Sequence, residues 1–328
     1  MRVITILCWS VAALALIGIA VWVLTGTVYG FGSGASNGFA GIINNVSVGS
    51  GFERLTGPYQ EVGAYDVAVD NIDSIKADWI AGGITVKPYD GDAIRVTEYA
   101  QRELRDDEKL SLGTTGRTLT IRFYENYSGI KARMPSKRLE ILVPRELSKS
   151  LAKLTIDSTS GDVSIEDFRT AELIVGSISG KTALYSIDAD RVEINSTSGG
   201  FTADAVTTGE MKIRSISGAI NLTDVNADLL DCHTTSGAKD LNGTFTNVKL
   251  HSISGKISIK DKVVPESMSI ETTSGSITIA IPDEGAVTVN HSSTSGKLSS
   301  EIPITTHVKD AQFRISTISG SVNIIALG

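Results

Sequence analysis

A tetrapeptide recurs nine times after Leu154: STSG, SISG, STSG, SISG, TTSG, SISG, TTSG, STSG and TISG. Its glycines are Gly161, Gly180, Gly199, Gly218, Gly237, Gly255, Gly275, Gly296 and Gly320, at steps of 19, 19, 19, 19, 18, 20, 21 and 24 residues. A period this regular marks a structural repeat in which each unit buries its apolar face against its neighbours.

Aligned on the glycine, the repeats form columns. Seven residues before it stand Leu154, Leu173, Val192, Met211, Leu230, Val248, Met268, Val289 and Phe313, all apolar. Five before it are Ile156, Val175, Ile194, Ile213, Cys232, Leu250, Ile270, His291 and Ile315. Two and four after it come mostly Val, Ile, Leu or Phe, as in Val163 with Ile165 and Ile220 with Leu222. Positions six and four before the glycine are mainly polar. This is period-two alternation, the mark of strands with one buried and one solvated face.

The inward face uses odd positions before the glycine and even positions after it. A straight strand cannot switch parity, whereas a bend at a glycine can. Each repeat therefore reads as strand, corner, strand, turn, and the expected fold is an all-β solenoid, or β-helix, of about ten short coils with Ser-Gly corners, stacked at ~4.8 Å. Hydroxyls occupy the positions three and one before every glycine, from Ser158 and Ser160 to Thr317 and Ser319. An unpaired buried hydroxyl costs about 1–3 kcal/mol, so these columns are expected to bond to one another or to backbone around the corner.

Ile75 to Val86, pivoting on Gly82, places Ile75, Ile84 and Val86 in the same columns and reads as a divergent first coil. Between it and Leu154, strands are expected near Ile94–Tyr99, Thr118–Tyr124 and Leu139–Val143, so that residues 94–150 form a strand-rich insertion or N-terminal cap. The repeat domain is thus expected over 58–328.

Upstream, Val3 to Leu24 carries no charge. As a helix its twenty-two residues would reach roughly 33 Å, enough to span a hydrocarbon core of ~30 Å. Residues 1–25 are expected to form a transmembrane signal anchor preceding the solenoid, and Gly/Ser/Asn-rich residues 26–57 a flexible linker. Arg2 precedes the run and the next charges are Glu53 and Arg54, which by the positive-inside rule puts the domain outside the cytoplasm. The expected localisation is the cell membrane, single-pass, with the C-terminal domain extracytoplasmic.

Thirty Lys and Arg against 37 Asp and Glu give a net charge of −7, which lacks the basic footprint of a nucleic-acid binder. Cys8 lies in the apolar run and Cys232 in an expected strand, so no disulfide framework is expected.

The segments GGITV and RLEILVPREL, followed by repeated TSGDVSI and SISGK units, resemble the bacterial "putative adhesin" β-strand-repeat family, a domain of unknown function, over roughly Ile72 to Gly328. The resemblance implies an envelope-associated protein acting in surface adhesion, and it carries over no catalytic or binding residues.

Several columns could carry chemistry. Four before the glycine, Arg214, His233, His251 and Glu271 follow one another and suit an exposed polar ladder better than a metal site, which would need converging ligands. Six before it, Glu193, Lys212, Asp231 and Lys249 alternate in sign, a register device. Asp157 and Asp162 are the nearest approach to a glycosidase carboxylate pair, but adjacent coils add no acid to their columns. Nine serine-bearing corners have no paired base.

Two before the glycine the residues run Thr159, Ile178, Thr197, Ile216, Thr235, Ile253, Thr273, Thr294, Ile318. β-Branched residues suit stacked strands, and a row of outward Ile also suits a contact surface. Ile178, Ile216 and Ile253, with Thr197 and Thr235, are the candidate binding residues. No catalytic residue, metal or cofactor is expected.

The reading is a non-enzymatic, membrane-anchored envelope surface protein, an adhesin or binding module for a surface protein or glycan ligand. The alternatives are a self-associating scaffold or envelope-stress component and, remotely, a polysaccharide-acting β-helix enzyme. The partners expected are the membrane and such a ligand, with self-association through the edges of the last strands and no nucleic acid.

Overall fold

The structure is a computed structural model that describes residues 57–125, 135–305 and 311–327. All of these lie in one compact unit, Ser50–Gly328. They form a single 21-stranded sheet.

Seven strands build one end: β1 (Gln60–Ala68), β2 (Ser74–Ala81), β3 (Ile84–Tyr89), β4 (Ala93–Ala100), β5 (Ser111–Thr115), β6 (Thr118–Arg122) and β7 (Lys137–Pro144). A single helical turn, α1 (Arg145–Ser148), follows. Strand β6 pairs parallel with β2, and β5 lies antiparallel on β6. On the next side β7 pairs parallel with β3 and antiparallel with β4, which carries β1. Antiparallel strands therefore cover the parallel edge, the part of a stack most open to unwanted pairing.

The body is wound from β8 (Leu151–Ser160), β9 (Val163–Ser179), β10 (Thr182–Ser198), β11 (Phe201–Ser217), β12 (Ile220–Thr234) and β13 (Lys239–Ser252). Each pairs in parallel with the next. Leu154, Leu173, Val192, Met211, Leu230 and Val248 stand side by side in this register, each at most 1% exposed. The inward columns are thus one continuous apolar core.

What sets the coil is the glycine column. A Cβ built on Gly199 would lie 1.9 Å from the carbonyl oxygen of Gly180, and one on Gly180 would lie 2.2 Å from that of Gly161. The same approach of 1.9–2.3 Å links Gly82, Gly161, Gly180, Gly199, Gly218, Gly237, Gly255, Gly275, Gly320 and Gly296, in that spatial order. Backbone lies where any side chain would begin, so only glycine fits.

A second bend falls six residues after the glycine, at Asp167, Ser186, Ala205 and Asp224, which have φ of 57°, 53°, 54° and 51°. These are left-handed residues with a Cβ, each strained by roughly 1–2 kcal/mol. The next repeat lacks this residue. Its pairing jumps from Leu222↔Leu241 to Val225↔Gly243, which accounts for the single 18-residue step in the series.

The far end breaks chain order. Strands β14 (Ile257–Asp261), β15 (Ser267–Ser274) and β16 (Ile277–Ile281) continue the stack, and β17 (Val287–Ser295), β18 (Leu298–Ser300) and β19 (Ile304–Thr305) follow in sequence. Yet β15 pairs with β20 (Gln312–Ser319) and β16 with β21 (Val322–Ala326), and only beyond these lie β17 and β18. The last strands in the chain are an interior rung. The edge at this end belongs to β17 and β18, with β19 paired over the first two residues of β17, so the expectation that the last strands present open edges is corrected.

The expected fold class, a solenoid preceded by a transmembrane helix, is also corrected. The structure is an all-β, solenoid-like sheet; among the described residues the helices are a 3-10 turn at Asp106–Glu108 and α1, and none is long and apolar enough to cross a membrane. The apolar run 3–24 and the Gly/Ser/Asn-rich stretch up to residue 56 lie outside the described residues.

Two substitutions separate the two bends. Gly199→Ala is expected to cost on the order of 3 kcal/mol or more, because the Gly180 backbone must move away from the added Cβ. Ala205→Gly is expected to stabilise by up to about 1 kcal/mol, relief of the left-handed strain exceeding the entropy of an added glycine. Urea unfolding of both variants checks the opposite signs.

Candidate binding face

The position two before each glycine faces outward beside the tightest corner. Its backbone is fixed by the next coil: Ser236 N donates to Ile216 O, Ser254 N to Thr235 O and Ser274 N to Ile253 O, each at 2.9 Å. Several hydroxyls next to it are satisfied around the corner, whereas the buried Ser158 Oγ has no partner among the described residues. Ser177 and Ser215 Oγ donate to the carbonyls of Ser179 and Ser217, and Ser179 Oγ reaches back to Thr159 O.

Followed along the stack, this column runs Ile80, Thr159, Ile178, Thr197, Ile216, Thr235, Ile253, Thr273, Ile318, Thr294. In sequence the alternation fails at Thr273 and Thr294. In space it is strict over all ten coils, because the coil of Ile318 lies between theirs. Ile80 and Thr159 are buried; Ile178, Thr197, Ile216, Thr235 and Ile253 are half-buried; Thr273, Ile318 and Thr294 are exposed, Ile318 at 55%. All five candidate residues thus lie on one line, with ~4.8 Å between coils.

Flanking columns carry charge. Lys153 lies 2.7 Å from Glu172, and Arg191 2.8 Å from Glu193 and 3.6 Å from Glu210. Glu193 is therefore matched to Arg191 on its own strand, and Asp231 to Arg214 at 3.4 Å and His233 at 2.9 Å. Those two partners hold the Asp231 carboxyl down at about 2, His233 contributing most. The His233 and His251 rings stack with centroids 5.7 Å apart, and His251 Nδ1 lies 3.4 Å from Glu271. Stacked rings, each turned to its own carboxylate, do not converge on a point as metal ligands must.

Three polar clusters were not expected from the columns. Lys239 stands at an inward position between Ile220 and Ile257, donating to Ser252 Oγ at 2.5 Å and Ser254 O at 3.0 Å, while Thr234 Oγ1 donates to Ser252 Oγ at 3.1 Å. A lysine beside a serine is the geometry of an activated nucleophile. Both residues are 1% exposed, so the pair faces core and not substrate. Asp157 pairs in register with Asp78, and Lys76 lies 3.1 Å from Asp78. At the first end, Lys137 Nζ lies 2.6 Å from Glu98, both fully buried, donates to Glu108 O and Phe123 O, and sits 3.9 Å from the Phe123 ring centroid. On another side a shallow polar groove is lined by Asp188, Asp190, Thr207, Asn226, Asp228 and Thr244.

Stacked coils around a glycine spine, with an outer surface built of residue columns, define a solenoid-like repeat protein. The chain belongs to the Toastrack DUF4097 family, whose model matches residues 72–325. Its fold is similar to that of a "putative adhesin" from Parabacteroides distasonis ATCC 8503, with 15% identity, 81% of this chain and 97% of that chain covered, and a TM-score of 0.54. It is also similar to a "putative adhesin" from Parabacteroides merdae ATCC 43184, with 14% identity, 80% and 95% coverage, and a TM-score of 0.50. No curated protein matches the chain.

The buried charges predict two pH dependences of stability. Burial, and then the neighbouring Asp78 charge, push the Asp157 carboxyl from 3.8 up to about 7. The folded state holds that proton longer than the unfolded chain, so stability falls as pH rises from about 4 to about 7. Asp157→Asn should flatten that slope. Burial pushes the Lys239 ammonium from 10.5 down to about 8. There the unfolded chain binds more protons, so stability rises between pH 8 and 10.5. Lys239→Met should remove that rise and stabilise the protein at pH 7 by about 1–3 kcal/mol. Denaturant midpoints across pH 4–10 test both.

Proposed function

We propose that the protein is a non-enzymatic binding module of the cell envelope, acting outside the cytoplasm, whose contact surface is the Ile/Thr stripe from Ile178 onward. The observation that carries this reading is that the alternation follows the order of coils in space rather than in sequence. Copying of a repeat unit would preserve alternation along the chain. The residues at 294 and 318 instead match their neighbours across the ladder, so the assembled surface is what they serve. Alternating large and small β-branched side chains also pack well along a ladder, and that packing keeps the face flat and rigid. A pre-ordered face loses little conformational freedom on contact.

Ile318 is the most exposed of the four exposed large hydrophobic side chains among the described residues, which adds apolar area to the stripe. The ligand that suits it is an extended surface polymer, protein or glycan, engaged at several coils at once. Two structurally similar proteins bear the name "putative adhesin", which supports this class of function.

The test is attachment by cells displaying the full-length protein. Replacing Ile178, Ile216 and Ile253 together by Thr is expected to reduce retention on protein- and glycan-coated surfaces several-fold while the thermal midpoint stays within a few degrees. Undiminished retention would exclude the stripe.

A further inference from the structure

The inserted rung at the far end has a property that a stack in chain order would lack. Strand β20 makes seven register pairs with β15 and seven with β17, and β21 makes five with β16 and three with β18. Strand pairing between the coil β17–β18 and β15 or β16 is absent among the described residues. Its other ladder is the two-residue pairing with β19, which is part of the same excursion. The inserted rung also carries the better core. Phe313, Ile315, Val322 and Ile324 are 0% exposed, whereas Val289, His291, Leu298 and Ser300 of the outer coil are only partly buried. His291, at an inward position that is apolar in every other repeat, has a buried Nε2 with no hydrogen-bond partner. The glycine spine repeats the arrangement, Gly320 sitting on Gly275 and Gly296 on Gly320.

We infer that β20–β21 is a locking rung: the coil β17–β18, though earlier in the chain, stays docked only while the later strands are seated between it and the body. The dependence is one-way. The rung retains twelve register pairs to β15 and β16 if the outer coil lifts away. The outer coil retains only its link to β19 if the rung leaves. The two elements therefore open as nested units, the outer coil alone or both together, in the sense of local cooperative unfolding. Loosening of the rung beneath a docked outer coil is not available to the fold.

Segment-resolved hydrogen exchange on the full chain tests this with two variants. Leu298→Ala, in the outer coil, removes contacts that are lost both when the outer coil opens alone and when the two open together, so it is expected to speed exchange of 287–300 and of 312–326 by the same factor, at least ten-fold. Phe313→Ala, in the rung, is expected to speed 312–326 by the larger factor, with 287–300 still exchanging at least as fast as 312–326. If Phe313→Ala lets 312–326 exchange faster than 287–300, or if Leu298→Ala speeds 287–300 alone, the lock does not exist. Should Phe313→Ala fail to fold, Ile324→Val carries the same comparison at a milder perturbation, a smaller gain at 312–326 that does not overtake 287–300 being expected and exchange of 312–326 faster than 287–300 overturning the inference.

Discussion

Backbone meets backbone along the glycine column, and the rest of the molecule follows from that contact. A Cβ at Gly161 or Gly199 would sit 1.9 Å from the carbonyl oxygen of the adjacent coil's glycine, so the corner closes only where the side chain is hydrogen. One glycine per coil fixes where each turn begins. The strands on either side then have no freedom of register, since a shift by one residue would turn every apolar side chain outward. The hydroxyl columns beside the spine serve the same corner by adding a second donor: Ser179 O and Ser217 O accept from Ser177 and Ser215 Oγ as well as from Gly161 N and Gly199 N.

Much of this was legible in the sequence because the coil is a local object. The apolar columns from Leu154 to Phe313 and the outward Thr/Ile column needed only the glycine as origin. The second bend was not legible. Asp167, Ser186, Ala205 and Asp224 share a conformation and no side-chain chemistry, so no column announces them. The inverted order of the last coils left only indirect traces: steps of 21 and 24 residues, two threonines in succession at 273 and 294, and His291 in an apolar column. Each looked like decay of the repeat. Together they record that a coil's neighbours in space are not its neighbours in sequence.

The buried charges were illegible for a different reason. Glu98 and Lys137 are far apart in the chain and meet only once β4 and β7 pair. Lys239 did stand out of its column, between Ile220 and Ile257, and Ser252 Oγ and Ser254 O accept from its ammonium, which offsets part of the cost of burying it. The outward Ile/Thr stripe exists as a line across ten coils only because every coil is in its place.

The placement of β20 and β21 also determines how the domain bears load. An edge strand pulled along the stack gives up its hydrogen bonds one after another, like a zip. A strand gripped on both edges must shear two ladders at once, and tension applied at Ala326 is spread over β15, β16, β17 and β18 together. The later strands thus sit where a pull along the stack must break two ladders at once.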